Sequence, residues 1–227
     1  MELDVFIKGE LIDLCIPTVE FVKQSQWYSW FNNPKTNRFL EQGAFPNTVE
    51  DEIEFFERER KNRLILIITD KQQNELGVIS LSFINFNKKT ADIALVLSDN
   101  PRERLAALEA MAHVTEHAFT TMGIKKLSAG QHKDLYKWQN LLELIGYKVE
   151  GIFENGFIKG DERVNAVHIS SNLEDYKQIV AKRGSLWDSN EKMLKRKANL
   201  PKPQFITLLN EYFDTVRKDY YDNIFSL

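Results

Sequence analysis

Cysteine is nearly absent: Cys15 is the single one in 227 residues, which excludes an intrachain disulfide. Long apolar runs are missing as well. No stretch approaches the ~20 residues that span a bilayer and no cleavable leader is recognisable, so the reducing cytoplasm is the expected compartment. Nor is there an excess of one charge, since 30 Lys and Arg face 33 Asp and Glu, for a net charge of -3 and a pI near 5.9. A surface for nucleic acid or anionic membrane would leave a basic footprint, and none is present. Histidines number 4, and neither repeats nor a low-complexity linker interrupt the chain before residue 173. The remainder, 43% hydrophobic and 28% charged, is ordinary for a folded soluble protein. One domain plus an extension fits this length.

Hydrophobic patterning alternates between strand and helix signals. Val5 to Pro17 is β-rich, and Cys15 sits there between Leu14 and Ile16 as a small strand residue rather than a nucleophile. Thr18 reads as the N-cap of a helix running to about Trp30, and Thr48 opens a second one, T-x-x-D, carrying Ile53 and Phe56 to about Asn62. Leu64–Thr69 and Leu76–Ile84 flank a Lys-Gln-Gln-Asn-Glu turn and predict an antiparallel hairpin, and Thr90–Ser98 supplies the next strand.

The helix predicted over Pro101–Met122 places Leu105, Leu108, Ala112, Thr115, Phe119 and Met122 on one side. Arg102, Glu109, His113, Glu116 and Thr120 share the other, which is expected to face water. That polar side includes His113-Val114-Thr115-Glu116-His117, literally the H-x-x-E-H zinc-peptidase pattern. With no acidic third ligand marked downstream, the match reads as a surface coincidence, and no metal is expected. A strand over 125–131 and a helix striped by Leu135, Trp138, Leu141, Leu142 and Ile145 follow, and Gly146 ends that helix.

The order strand, turn, long helix, strand, helix from Thr90 closes on L-x-x-x-G-[FY]-x-x-E-G at Leu142–Gly151. It resembles the acyl-CoA-dependent N-acyltransferases of the GNAT superfamily, nearest to the ribosomal-protein and amino-sugar acetyltransferase type. The resemblance implies an α/β fold with a central mixed, mostly antiparallel sheet and helices on both faces. It covers residues 1–173, leaving 174–227 as a helical extension.

Acetyl-CoA is the cosubstrate that the resemblance implies. The strand Ala91–Leu97 would splay from its neighbour, and its free backbone groups, at Leu95, Val96 and Leu97, would pair with the pantetheine arm. The pyrophosphate would rest on the start of the long helix, at Leu105, Ala106, Ala107 and Leu108, where unsatisfied N–H groups meet the anion. Arg102-Glu103-Arg104-Leu105-Ala106-Ala107-Leu108-Glu109-Ala110 stands where relatives show W-G-K-G-x-[GA]-x-E-A. Arg104 falls on the lysine of that pattern, and Arg102 flanks the same turn. Glu103 and Leu105 replace its glycines, and further on Leu135, Trp138 and Leu142 replace a frequent asparagine, serine and tyrosine.

Acyl transfer to an amine needs a base and an acid. Asp92, in A-D-I-A, matches the Glu of an A-E-I-G phrase seen in many relatives and is the first candidate base. His132 is the second, and Tyr136 the candidate acid. The Trp30-Phe31-Asn32-Asn33-Pro34 phrase resembles a W-x-N-[DN]-P start in relatives acting on protein N-termini and on amino sugars of nucleotide-linked glycans. It makes Trp30, Asn32, Asn33 and Arg38 the candidate acceptor-binding residues, whereas Trp27 and Phe31, spaced i and i+4, read as a staple to the sheet. The function expected is acetyl transfer to a primary amine of an amino-sugar nucleotide or similar small molecule, or of a protein or peptide. A catalytically silent binding or assembly module of the same fold is the alternative.

Beyond Leu173 the chain reads as a charged helix around Glu174–Lys182, a basic one around Trp187–Lys197 and one after Pro203. The last carries Phe205, Leu208, Leu209, Tyr212 and Val216 on one stripe. That stripe must dock on the domain or form a homodimer interface.

Overall fold

The computed structural model describes residues 2–98, 105–200, 205–216 and 223–224. The β-branched runs become eight strands: β1 (Val5–Lys8), β2 (Ile12–Cys15), β3 (Leu64–Asp70), β4 (Glu75–Asn85), β5 (Thr90–Leu97), β6 (Lys126–His132), β7 (Lys148–Lys159) and β8 (Glu162–Asn172). They form one sheet in the order β1-β2-β3-β4-β5-β6-β8-β7. Among the described residues only β5 and β6 are parallel neighbours, as the mixed, mostly antiparallel expectation required. Cys15 is fully buried on β2, its Sγ 3.4 Å from Thr69 Oγ1, and burial pushes its thiol pKa up.

Helices cover both faces. One face packs α5 (Ala106–Thr120) and α6 (Tyr136–Leu142); the other packs α1 (Val19–Gln24), α2 (Trp27–Trp30), α3 (Pro34–Asn37) and α4 (Val49–Glu59). Thr18 caps α1 through Phe21 N, and Thr48 with Asp51 forms the predicted capping box of α4. The single helix expected from Thr18 to Trp30 is broken at Ser25. The chain restarts at Trp27, which rotates the phase of every side chain that follows.

The long helix also departs from expectation. Its polar side does not face water: Glu109 is fully buried and, within α5, Thr120 is the exposed residue. The cause is the β1–β2 turn, which folds over the helix. Backbone N–H groups of Glu10 and Leu11 both donate to the Glu109 carboxylate, the second at 2.8 Å, and His113 Nε2 lies 3.3 Å away. Gly9 permits the approach, since a Cβ there would meet Ile12 O at 2.5 Å and Glu109 Oε1 at 2.6 Å.

After β8 the chain continues into α7 (Leu173–Arg183), ended by Gly184 at φ +89°, α8 (Asn190–Ala198) and α9 (Phe205–Val216). The segment between α7 and α8 is built into the main core, where Leu186 and Trp187 are buried with α5 and with Met193 of α8. Trp187 Nε1 donates to Glu10 Oε2 at 2.9 Å, and Asp188 accepts two bonds from Arg196, each 2.6 Å. In the predicted stripe of α9, which lies beside α6, Leu208 and Tyr212 are exposed.

Candidate active site

The two parallel strands share only the pairs Thr90↔Lys126, Ala91↔Leu127 and Asp92↔Ser128. Beyond them both strands continue, each held by its outer neighbour, β5 by β4 as far as Gly77↔Leu97 and β6 by β8 as far as His132↔Ala166. The inner edges of Ile93–Leu97 and Ala129–His132 therefore border a wedge. Their free N–H and C=O groups need partners, and an extended ligand arm bearing amides supplies them as an added strand would. The sheet face is open at Gly130, where an added Cβ meets nothing within 4 Å. Leu95, Val96 and Leu97 lie along this edge, half-buried.

Among the described residues the first hydrogen bond of α5 runs from Glu109 N to Leu105 O at 2.9 Å, and the amides of Ala106, Ala107 and Leu108 precede it. The side chains of Leu105, Ala106 and Leu108 are buried in the core. Whatever these residues offer an anion comes from the backbone. Arg102 and Arg104 lie outside the described residues. On the β6 side, Gln139 of α6 is fully buried, its Oε1 3.4 Å from Gln131 Nε2 and its own Nε2 unpartnered.

Strand alternation sends Ala91 and Ile93 toward α5, and Asp92, Ala94 and Val96 to the other face. There a cleft of about 620 Å³ opens, floored by Val78, Ser80, Ala94 and Val96 and walled by Trp27, Phe31, Phe55 and the Glu41–Asn47 loop. Asp92 continues this face toward the narrow end of the wedge. It is exposed, yet partial desolvation raises its carboxyl pKa, a shift that His168 on β8 opposes.

The cleft wall also holds Glu52, only 3% exposed. Its Oε2 accepts from Asn47 Nδ2 at 2.7 Å, while Oε1 has no partner. Burial raises its pKa, opposed by the Asn47 hydrogen bond and reinforced by nearby Asp51. Trp27, 1% exposed, likewise has an unpartnered Nε1, and its ring stands edge-on to Phe56 at 6.1 Å.

The predicted acceptor residues occupy other positions. Trp30 is buried in the core beneath α2 rather than in the cleft wall. Asn32 clamps the loop, exchanging two 2.7 Å bonds with the backbone of Asn47. Asn33 caps α3 through Lys35 N at 2.9 Å, and Arg38 lies over the Phe39 ring at 5.1 Å. Trp27 and Phe31, expected as a staple to the sheet, pack against Ile65, Ile67 and Val78 and also line the cleft.

His132 is 3% exposed, between the rings of Phe39 and Phe157, and its Nδ1 accepts from Asp134 N at 3.1 Å. That is the geometry of a cap. It stands four residues beyond Ser128 along β6, away from Asp92. Tyr136, 41% exposed, opens α6 at the wide end of the wedge. Buried Tyr147 shares a 2.7 Å bond with Thr115 Oγ1, and desolvation raises its pKa, so it holds its proton. In the H-x-x-E-H segment His117 stands edge-on to Phe6, and Glu116 Oε1 accepts from Tyr176 OH at 3.0 Å. Among the described residues no group of three or more His, Cys, Asp or Glu could hold a metal.

A family model described as an acetyltransferase (GNAT) domain matches residues 21–148. The microcin C7 self-immunity acetyltransferase MccE, solved in complex with acetyl-CoA and AMP, superposes with a TM-score of 0.61 at 22% identity, covering 73% of this chain and 94% of that one. The Vibrio cholerae spermidine N-acetyltransferase, in complex with CoA and spermine, gives 0.67 at 14% identity over 74% of this chain and 98% of that one. Among curated proteins no sequence matches.

Proposed function

The chain belongs to the GNAT acetyltransferase family, whose donor is acetyl-CoA and which needs no metal, and on that premise we propose that it acetylates a primary amine. The acceptor is an amino-sugar nucleotide or similar small molecule first, and a protein or peptide amine second. One observation carries the reading: the wedge that opens after Asp92 and Ser128 adjoins an aromatic-walled cleft on the Asp92 face. The donor supplies an activated thioester, and the wedge suits its arm. The edge at Leu95, Val96 and Leu97 would pair with the pantetheine amides, and the amides of Ala106, Ala107 and Leu108, with Arg102 and Arg104 before them, would take the pyrophosphate.

An amine arrives protonated and must lose that proton before it attacks. Asp92, its pKa raised by desolvation, is the group on the cleft face that takes it, directly or through a water. Tyr136 is the proposed proton donor to the departing thiolate. Two structural neighbours are solved with spermine and with AMP, and we take the cleft's side chains as what selects the acceptor here. Where two copies meet, we propose the α9 stripe with exposed Leu208 and Tyr212 as their contact, and truncation after Leu200 should then halve the mass in solution.

Calorimetric titration with acetyl-CoA tests the donor site, and absence of binding would support the silent module instead. For the chemistry, Asp92→Asn should lower turnover by about 100-fold with donor affinity kept, because the amide preserves shape but accepts no proton. Wild-type turnover across pH in that variant would remove Asp92 as the base.

A further inference from the structure

We infer that Glu52 is the counter-ion for a second positive charge on the acceptor, at the end of the cleft remote from the amine that is acetylated. The inference rests on the acetyltransfer reading for the position of the reacting amine. It rests on independent geometry for the second charge.

Glu52 is buried in the cleft wall with one oxygen bound to Asn47 and the other bound to nothing. Buried polar atoms in folded proteins are paired, and an orphan calls for a partner that comes from outside. For a carboxylate the fitting partner is a cation, since an unpaired buried charge is the costliest kind. The raised pKa agrees: burial disfavours ionisation, and no basic group is among its causes.

The remaining charges of the cleft do not supply that partner. Asp51 is engaged by its own helix cap with Thr48. Arg63, a cation in the cleft wall, is turned toward Glu59, with Nε 2.6 Å from Oε2, and lies over the Phe55 and Phe83 rings. Glu41 adds a further negative charge to the wall, and Trp27, Phe31 and Phe55 give ring faces of the kind that attract ammonium groups.

The spacing follows from the strands. Glu52 and Phe56 lie one helical turn apart on α4, and Phe56 packs with Trp27, Val78 and Val96, which fixes this end of the cleft. Asp92 lies four residues back from Val96 on β5, roughly 13 Å at strand rise, so Glu52 sits toward the end of the cleft remote from Asp92. Among the acceptors proposed above this selects an elongated small-molecule amine with a second ammonium or guanidinium group at its far end, over an amino-sugar nucleotide, whose diphosphate would meet Glu41, Asp51 and Glu52.

The test compares two ligands of equal length, 1,8-diaminooctane and 8-aminooctan-1-ol, which differ in that far group alone. With acetyl-CoA present, the diamine should show a KM about ten-fold lower, the strength of one charge-assisted hydrogen bond. Glu52→Gln should abolish that preference and Glu52→Asp retain part of it, both with the wild-type melting temperature monitored. Equal KM values in the wild type, or a preference that survives Glu52→Gln, would overturn the inference. If neither amine is acetylated, calorimetry separates the two ideas. Acetyl-CoA binding without preferential diamine binding overturns the inference and leaves the donor site standing. Diamine binding that depends on Glu52, without acetyl-CoA binding, supports the inference and removes acetyltransfer.

Discussion

Glu109 and Glu52 are both buried glutamates in the early turns of helices, one on each face of the sheet, and they differ in a single respect. Glu109 is satisfied: two backbone N–H groups of the β1–β2 turn and His113 surround its carboxylate. Glu52 is half satisfied, with Asn47 on one oxygen. Burial alone therefore does not mark a functional acid. A carboxylate whose bonds all close within the chain holds the fold together, and one left open beside a cleft is set for a ligand. Around Glu109 the α5 face is closed in this way, from Gly9 to the docked Trp187, whereas the α4 face keeps about 620 Å³ of open volume beside Glu52.

The sharpest way to break this contrast is Glu109→Ala. It strands two backbone donors under α5 and should cost about 3 to 5 kcal/mol, the sum of two hydrogen bonds to a carboxylate. For a chain of this length that lowers Tm by on the order of 10 °C in a thermal melt. A loss below about 1 kcal/mol would mean that water replaces the carboxylate and that the α5 face is not closed.

A second, smaller effect comes from Asp188, which anchors the extension to the same face. Its two bonds from Arg196 hold its pKa down to about 2, well below the usual aspartate value. A depressed acid stabilises the fold above its unfolded pKa, and that stability fades as pH falls through the folded one. Asp188→Asn should therefore cost about 1 to 3 kcal/mol at neutral pH, for a bidentate pair largely shielded from solvent. The deficit should shrink from pH 4 toward pH 2 in urea unfolding. A deficit independent of pH would point to packing rather than charge.

Much of the fold was legible because it is written locally. Thr18, Thr48 and Gly146 set helix ends through their own side chains or φ angles, and strand alternation placed β3, β4 and β5. The edge at Leu95, Val96 and Leu97 could be named because a backbone site needs only the strand's position. Two things were not legible, and both depend on partners distant in sequence. Glu109 reads as a solvent-facing residue until the turn 98 or 99 residues earlier folds over it. The cleft lining was not legible: Trp30, Asn32 and Asn33 were expected at the acceptor side, whereas Trp27 and Phe31 line the cleft, because a short break at Ser25 shifts helix phase without glycine or proline to announce it. Glu52 did carry a signal that could have been read: it lies at i and i+4 with Phe56, an acid on the apolar side of an amphipathic helix.

The smallest expected effect is the most discriminating. Glu52→Gln keeps the shape of the side chain and removes a charge that the fold does not use, so stability should change by no more than about 1 kcal/mol. The sign should depend on pH. Burial raises the folded pKa of Glu52 above 4.5, so its favourable contribution is full below the unfolded value and is lost as pH rises through the folded one. Wild type should thus match or exceed Glu52→Gln near pH 4 and fall behind it by pH 7 or 8 in urea unfolding. If instead the variant loses as much at neutral pH as Glu109→Ala does, Glu52 is a structural carboxylate like its counterpart. The contrast between the two faces would then collapse, and with it the reading of the open oxygen as a seat for a cation.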